Sequence, residues 1–421
     1  MIDIQKIRDN PQEIKKALAR KGFDSKKIDL ILMMDEIYRE NLHSIEKFKA
    51  EQNEASKKIP TLKGEEKKKL LLKLKKIAAA KKSAEITMND ARDKIEEFAS
   101  SIPNPPADDA PDGQSDKDNV VVRQEGTLPQ FSFTPKTHDL LAEKLDILDT
   151  QASAKVSGSR FYYLKNELAI LQRALIFWAF TEVQKKGFIP MIPPFLTKKE
   201  AIHGTGYLAH DENYIVNPGE DDLYLIGTSE VPMVSYHAGE TLDLSQGPLR
   251  YVSYSPCFRR EAGSYGKDSK GIFRVHQFEK VEMVVFCAKE EAESCHAEIL
   301  RIEEDLLQKL EIPYQVVNVC CGDLGISATR KYDLEGWLAG QGKYRELTST
   351  SICTDFQSRR LRIKYKNKEG KAEYVYTLNG TAVASRPLIA ILENNQQKDG
   401  SILIPKALQP LCGFKKIEVK K

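Results

Sequence analysis

The sequence has no run of eighteen apolar residues, so it predicts no membrane-spanning helix. Its first residues lack the apolar core of a signal peptide, and they are too acidic for a transit peptide. The seven cysteines form no CxxC pair and no Cys/His cluster with zinc spacing, which favours free thiols in a reducing compartment. We therefore predict a cytoplasmic protein without a membrane partner.

The common nucleotide-binding motifs are also missing. The sequence has no Walker loop, and no GxGxxG follows a predicted strand, which argues against P-loop and Rossmann sites. The net charge is only +3, so a nucleic-acid partner has to be inferred from local charge rather than from the total. The length of 421 residues suggests two or three domains, and a hydrophobic fraction of 41% is sufficient for a large core.

The first hundred residues predict a small helical cap followed by two long helices. The cap spans residues 1–24, and the first long helix runs from Ser25 to a turn at Pro60–Gly64. In the second helix, apolar residues from Leu70 to Ile102 alternate in spacings of four and three, interrupted once by Lys81. Two matched helices around a tight turn predict an antiparallel coiled-coil hairpin, with each arm roughly 50 Å long.

The charge of this hairpin is uneven. Between Lys57 and Lys82 there are eleven lysines and only two acidic residues, Glu65 and Glu66. Coiled-coil packing does not require such an excess, and a projecting basic rod suits a polyanion bound through its phosphates. A solvated face of a solubilising helix is the alternative, but the confinement of the lysines to one end favours nucleic acid. The candidate contacts are Lys57, Lys58, Lys67, Lys68, Lys69, Lys73, Lys75 and Lys76.

Three regions follow from the composition along the chain. The helical domain occupies residues 1–102, and residues 103–130 are rich in Pro, Asp and Gly, which predicts a linker or an extended segment. Residues 131–421 mix amphipathic helices with many consecutive strands, which is typical of an α+β domain with an antiparallel sheet. Within this region we expect strands over 344–365 and a closing helix over 381–396.

A predicted hairpin in the third region contains candidate ligand-binding residues. Strand-like segments at 251–258 and 272–286 flank a polar, Gly-rich loop at 262–271, and arginines, glutamates and a phenylalanine lie near the mouth of that loop. Arginine binds phosphate oxygens through a fixed fork of donors, phenylalanine offers a face to a base, and glutamate accepts from an amine. The hairpin therefore fits a nucleotide and an ammonium-bearing substrate, although spacing alone leaves an ordinary exposed hairpin with surface salt bridges equally open.

Three separated segments resemble the motifs of class II aminoacyl-tRNA synthetases. They are the helix-to-strand segment ending at 187–190 and followed by Pro193-Pro194, the stretch 258–261 with its hairpin, and residues 379–386. The strings GTSEVP, HQFEKVEM, ELTSTSICTDFQSRR and LIAILENNQ, together with the basic arm, are similar to the bacterial-type seryl-tRNA synthetase family. One residue fewer separates Thr381 from Arg386 than is usual in the family, and we expect the shortening in a turn at 382–385.

This resemblance implies a reaction and its partners. L-Serine and ATP would give seryl-adenylate and pyrophosphate, with Mg²⁺ on the phosphates, and serine would then move to the terminal adenosine of tRNA(Ser). Whether tRNA(Sec) is also charged stays open. The first motif would form the two-fold interface of a homodimer. A ligase that charges a carrier protein and a tRNA-binding paralogue with an inactive site are the alternatives; the arm argues against the first, and the retained charged residues argue against the second.

The resemblance also implies roles for individual residues. Arg259, Glu346 and Arg386 would be catalytic, with Arg259 on the α-phosphate of ATP. Glu261 would accept from the adenine amino group, while Phe278 and Arg386 would lie on opposite faces of the base. The implied ATP-binding residues are Arg259, Arg260, Glu261, Arg274, Val275, Phe278, Glu346, Leu347, Thr348, Ser349 and Arg386.

The remaining implied residues contact the amino acid, the metal and the tRNA. Glu282 would bind the serine ammonium, and Glu346 and Ser349 would be the Mg²⁺ ligands beside the phosphates. The arm lysines named above would contact tRNA. The implied serine-binding residues are Thr228, Ser229, Glu230, Arg259, Glu282, Asn379 and Thr381.

Overall fold

The structure is a computed structural model that describes residues 1–207, 213–216, 219, 223–261 and 270–419. The chain divides into two compact units, Met1–Pro105 and Pro106–Lys421. Positions 262–269 of the predicted Gly-rich loop lie outside the described residues. Within the described part of the chain, no helix combines the length and the apolar character needed to cross a membrane. All seven cysteines are buried free thiols.

The first unit is entirely helical. Its helices are α1 (Ile4–Asp9), α2 (Pro11–Ala19), α3 (Lys26–Lys58) and α4 (Gly64–Ser101), and a 3₁₀ turn at Ile59–Thr61 joins the two long ones. The two long helices confirm the predicted hairpin, including its turn at a proline and a glycine.

The base of the hairpin has a small core of its own. Ile7 and Leu18 from the cap are fully buried against Ile28 and Ile102 of the hairpin. Beside this core, the buried carboxylate of Asp35 accepts hydrogen bonds from the guanidinium groups of Arg8, at 2.7 and 2.8 Å, and Arg39, at 2.9 Å. The cap therefore fixes the root of the arm through both apolar packing and a fully paired charge.

The second unit is built on one large sheet with helices around it. Its helices are α5 (His138–Leu145), α6 (Thr150–Ser157), α7 (Asn166–Gln184), α8 (Lys199–Thr205), α9 (Glu230–Ser235), α10 (Ala292–Lys309), α11 (Phe356–Leu361), α12 (Arg386–Asn394) and α13 (Gln409–Cys412). Its strands are β1 (Val120–Glu125), β2 (Leu148–Asp149), β3 (Tyr163–Leu164), β4 (Ile189–Met191), β5 (Leu196–Lys198), β6 (Tyr214–Val216), β7 (Leu223–Leu225), β8 (Thr241–Leu242), β9 (Leu249–Phe258), β10 (Gln277–Cys287), β11 (Tyr314–Asn318), β12 (Arg330–Leu338), β13 (Lys343–Thr354), β14 (Lys364–Lys366), β15 (Ala372–Tyr374), β16 (Tyr376–Ala384), β17 (Ile402–Leu403) and β18 (Lys416–Ile417).

Among the residues that the structure describes, the large sheet has eight strands in the order β1-β11-β12-β13-β16-β10-β9-β4. All of its neighbouring pairs are antiparallel except β4 and β9, which run parallel. This architecture confirms the predicted α+β class with an antiparallel sheet. Strand β1 lies within the segment that we expected to be a linker or extended, so this part of the segment is an edge strand of the sheet.

The structure corrects four local predictions. Strand β10 begins at Gln277, so residues 272–276 approach it outside the sheet. Helix α11 interrupts the strands expected over 344–365 and buries Phe356 and Leu361. The first four residues of the expected closing helix, 381–384, extend β16 instead, because Thr381, Val383 and Ala384 pair with β10. Helix α12 begins only at Arg386, where Pro387 favours a helix start. The expected turn at 382–385 is therefore wrong.

Candidate active site

One face of the central strands opens into a cavity of about 500 Å³. Side chains alternate along a strand, so every second residue of β10 and β16 reaches the same face. Glu282 pairs across the strands with Thr381, and Ser351 of β13 pairs with Asn379 of β16. All four line the cavity. The register of three neighbouring strands thus gathers these polar side chains, which are far apart in sequence.

Most of the residues implied by the resemblance meet at this cavity. Those on its wall are Glu230, Arg259, Glu261, Arg274, Val275, Phe278, Glu282, Glu346, Leu347, Thr348, Ser349, Asn379, Thr381 and Arg386. Three of the expected residues are not on the wall. Ser229 is fully buried, with its hydroxyl 2.9 Å from that of Ser253, Thr228 lies behind Lys280, and the Arg260 side chain is exposed.

One end of the cavity is a buried ionic cluster around Glu282, which is 2% exposed. Its Oε2 lies 2.6 Å from Nζ of Lys280 and accepts a hydrogen bond from Thr381 Oγ1 at 3.1 Å. The Lys280 ammonium also donates to Thr228 Oγ1 at 2.7 Å. We did not predict Lys280, although its position two residues before Glu282 on one strand puts both side chains on the same face.

A second buried carboxylate, Glu230, lies at the same end. It accepts from the Tyr207 hydroxyl at 2.6 Å and from Gln357 Nε2 at 2.7 Å. Burial, reinforced by the nearby Glu282, raises the pKa of the Glu230 carboxyl. Two carboxylates with fixed hydrogen-bond partners can recognise a small substrate that carries an ammonium and a hydroxyl group. Neither Tyr207 nor Gln357 was predicted, because each belongs to a separate segment of the chain.

Cations and aromatic rings form the other end. The Arg259 guanidinium lies 5.2 Å from the centre of the Phe278 ring, and its Nε donates to the carbonyl of Gly227 at 3.1 Å. Arg274 donates to the Glu261 carboxylate at 2.8 Å. The backbone N–H of Arg259 donates to the backbone carbonyl of His276 at 2.9 Å, which closes the mouth of the hairpin. These contacts hold the Arg259 guanidinium beside an aromatic face and the Arg274 guanidinium on a carboxylate, and both cations suit a nucleotide.

Arg386 joins this end from the start of α12. Its guanidinium lies 4.8 Å from the centre of the Phe273 ring, which also contacts Arg345 at 3.7 Å. Arg386 donates to the Glu346 carboxylate at 2.7 Å and to the Glu346 carbonyl at 3.0 Å. Phe273 was not predicted, since a phenylalanine in a strand-like segment is ordinarily a core residue.

The carboxylate of Glu346 is held in its ionised form. Burial opposes ionisation, but Arg386 and Lys331 together keep the pKa of this carboxyl well below its usual range. Lys331, which we did not predict, lies 3.9 Å from Glu346 and 2.8 Å from the carboxylate of Asp333. Ser349 lines the same cavity. A carboxylate and a hydroxyl oxygen are thus available at the cationic end of the cavity.

Comparison with known proteins identifies the family. Residues 1–106 match the profile of the seryl-tRNA synthetase N-terminal domain, and residues 212–395 match that of the tRNA synthetase class II core domain (G, H, P, S and T). The serine–tRNA ligase of Thermobifida fusca is 46% identical over 98% of both chains, and that of Corynebacterium diphtheriae is 44% identical over the whole of both.

Solved structures agree with the sequence relatives. The seryl-tRNA synthetase from Pyrococcus horikoshii, complexed with ATP, matches the whole chain at 42% identity with a TM-score of 0.96, and all of that chain is covered. The cytoplasmic serine–tRNA ligase from Naegleria fowleri, in complex with AMP, is 33% identical with a TM-score of 0.91, and the match covers 100% of this chain and 99% of that one. The chain belongs to the seryl-tRNA synthetase family.

Proposed function

We propose that the chain activates L-serine with ATP to form seryl-adenylate and pyrophosphate, and then transfers serine to the 3′-terminal adenosine of tRNA(Ser). The observation that carries this proposal is a single cavity with a buried acidic end at Glu230 and Glu282 and a cationic end at Arg259 and Arg386. The names of the relatives, and the ATP bound in one of them, support it.

The first step needs positioning and charge stabilisation more than a protein nucleophile. The serine carboxylate attacks the α-phosphorus of ATP, and pyrophosphate leaves. In our assignment Arg259 binds the α-phosphate and stabilises the charge that develops there. Its guanidinium is fixed between the Gly227 carbonyl and the Phe278 ring, so little reorganisation is needed when the reaction occurs.

The nucleotide occupies the cationic end in this proposal. Phe278 and Arg386 contact the two faces of adenine, and Glu261 accepts from its amino group. Arg274, which donates to Glu261, reaches the β- and γ-phosphates. Val275 and residues 347–349 also line the cavity.

The residues at Glu346 fit a magnesium ion carried by the nucleotide. Mg²⁺ prefers one or two carboxylate or hydroxyl oxygens together with phosphates. Glu346 is ionised, and Ser349 lies on the same wall. In the described part of the chain no group of three His, Cys, Asp or Glu side chains is placed to hold a metal by itself. When bound with ATP, the ion would neutralise phosphate charge during pyrophosphate release.

In this proposal serine occupies the acidic end, and this end would reject alanine. Buried groups that hydrogen-bond the serine hydroxyl would be left unpaired by alanine, and such sites discriminate by about 10⁴ to 10⁵. We therefore expect serine-dependent ATP–pyrophosphate exchange, with kcat/KM for alanine lower by that factor. Exchange is measured with each amino acid in turn, with and without a chelator of Mg²⁺. Exchange that does not respond to serine would contradict the proposed function.

The molecule that accepts the activated serine distinguishes this function from that of a carrier-protein ligase. A carrier-protein ligase would give the same pyrophosphate exchange but would acylate a carrier protein and not tRNA. The match of residues 1–106 to the family's N-terminal domain favours tRNA. We propose residues 1–102 as the tRNA-binding domain and residues 131–421 as the catalytic domain; of the segment 103–130 between them, β1 belongs to the large sheet.

An apolar surface along the first motif supports a homodimer. Ile170 and Phe177, seven residues apart on α7, are 47% and 58% exposed. Ile189 in the edge strand β4 is 49% exposed, and Ile192 just beyond it is 72% exposed. Large apolar side chains grouped at a sheet edge are typical of a protein–protein interface. We propose that this surface joins two copies of the chain.

Charges on this surface should separate the two copies. The double variant Phe177→Glu/Ile192→Glu places two carboxylates where apolar contacts are expected, so it should sediment near the 47.6 kDa of one chain. Leu403→Glu is the matched control, because Leu403 is 45% exposed on β17 and outside the surface. The wild type and the control should sediment as dimers. A monomeric wild type, or a dimeric double variant, would contradict the proposed interface.

A further inference from the structure

His138 links two parts of the second unit from a buried position at the start of α5. It is 3% exposed. The backbone N–H of Ile272 donates to its Nε2 at 3.1 Å, and its Nδ1 lies 2.9 Å from Oε1 of Glu393. Since Nε2 accepts a hydrogen bond, the ring proton is on Nδ1, where it is donated to Glu393. His138 therefore bridges a backbone N–H and a carboxylate.

The backbone on one side of this bridge is pressed against the ring. Gly271 has a φ of +65°, and a Cβ at this position would lie 2.0 Å from Nε2 of His138. A side chain at position 271 would therefore push the ring away or displace the chain. The close approach positions the end of the active-site hairpin loop at the point where it returns to the sheet.

Glu393 on the other side is fully paired. It is completely buried, and its Oε1 also accepts the backbone N–H of His138 at 3.0 Å. Its Oε2 accepts the backbone N–H of Gly340 at 3.0 Å. Glu393 lies on α12, seven residues after Arg386, which is two helical turns. The bridge thus connects the hairpin to the helix that begins with a residue of the cavity wall.

These contacts form a closed series that begins and ends at Ile272. Ile272 is followed by Phe273, whose ring contacts the guanidinium of Arg386. Arg386 lies on the same helix as Glu393, and Glu393 binds His138, which in turn holds Ile272. Ile272, Phe273 and Arg386 line the cavity at its cationic end, whereas His138 does not line it. At the acidic end, Glu282, Thr381 and Glu230 lie on β10, β16 and α9 and take no part in these contacts.

We propose that His138 is a positioning residue for ATP binding, which fixes the cavity wall at 272–274 against α12 through the Ile272 and Glu393 hydrogen bonds. The inference rests on the proposed function, because it takes the cationic end as the nucleotide site. It gives a role to Glu393, which lies in the LIAILENNQ string and contacts no ligand in our assignment. A residue that only stabilises the fold would affect both substrates alike, whereas loss of the His138 side chain should raise the KM for ATP alone.

Two substitutions of His138 each keep one of its two side-chain hydrogen bonds. In His138→Asn, the side-chain amide nitrogen lies near the position of Nδ1, so it can donate to Glu393 but has no group that reaches Ile272. In His138→Gln, the amide oxygen lies near the position of Nε2 and can accept from Ile272. We expect His138→Asn to raise the KM for ATP about tenfold or more, as for the loss of one buried hydrogen-bond acceptor. The KM for serine should stay within about twofold, and His138→Gln should restore most of the ATP value.

The test is ATP–pyrophosphate exchange on the full-length chain, with each KM, kcat and the melting temperature measured for the wild type and both variants. An equal rise of both KM values, or a lower kcat with unchanged KM values, would show a structural role and overturn the proposal. If His138→Asn does not fold, Gly271→Ala attacks the same contact from the backbone side. A rise in the KM for ATP alone supports the proposal there, and an unchanged one overturns it. A wild type that neither binds ATP nor catalyses exchange would instead refute the proposed function itself.

Discussion

Replacing Arg259 with alanine should lower the rate of serine-dependent pyrophosphate exchange by at least about a hundredfold, on the scale of losing one donor that stabilises developing charge. Arg259 is expected to act on the α-phosphate, where negative charge changes during the attack. The loss should appear in kcat as well as in kcat/KM, because this contact strengthens in the transition state. Steady-state and single-turnover exchange measurements test this expectation.

The control for this variant is another arginine of the same unit. Arg301 on α10 is exposed, and its Nε donates to the backbone carbonyl of Ala297 at 3.3 Å. Arg301→Ala should keep exchange within about twofold of the wild type, as expected for surface substitutions. Equal losses in the two variants, or a loss below about tenfold in Arg259→Ala at an unchanged melting temperature, would remove Arg259 from the centre of the mechanism.

Removing the positive charge of the arm should abolish most tRNA charging while leaving adenylate formation intact. The eight candidate lysines are all exposed, so their replacement by glutamine does not disturb the packing of α3 against α4. Phosphate contacts supply most non-specific affinity for nucleic acid, and several of them together change affinity by orders of magnitude. We expect kcat/KM for tRNA to fall by at least about a hundredfold, and the rate of pyrophosphate exchange to stay within about twofold.

A charge-preserving variant provides the matched control. Arginine at the same eight positions keeps every positive charge, so it should retain charging and its steep decrease with salt. The glutamine variant should show a weaker salt dependence than the wild type. Charging that survives in the glutamine variant would mean that the lysines form only a solvated face, and a loss of both activities would mean that they matter for folding. Both outcomes would contradict the proposed role of the arm.

The arm was predictable because its pattern is local. The alternating spacings between Leu70 and Ile102, and the turn at Pro60–Gly64, depend only on neighbours in sequence, and α3 and α4 follow them closely. Residues 381–384 show the limit of such reasoning. They preceded an apolar helical pattern, but pairing with β10 places them in a central strand, which decides their conformation more strongly than local preference.

The cavity was only partly predictable for a similar reason. The family resemblance predicted most of the charged residues on the cavity wall. It could not tell which of several adjacent residues reaches the cavity. Thr228, Ser229 and Glu230 are adjacent, but only Glu230 reaches the cavity, since α9 begins there and turns the other two into the interior. Phe273 was missed because its partners, Arg345 and Arg386, are distant in sequence and meet it only in the folded chain.

The burial of every cysteine has a practical consequence for labelling experiments. All seven thiols belong to the second unit, and the arm has none. Buried thiols react with alkylating reagents only when the surrounding structure opens, so their labelling rate would report local unfolding of the second unit alone. A single cysteine introduced at exposed position 67 would therefore be the most reactive thiol of the native chain. A fluorophore attached there would follow tRNA binding without prior removal of the natural cysteines.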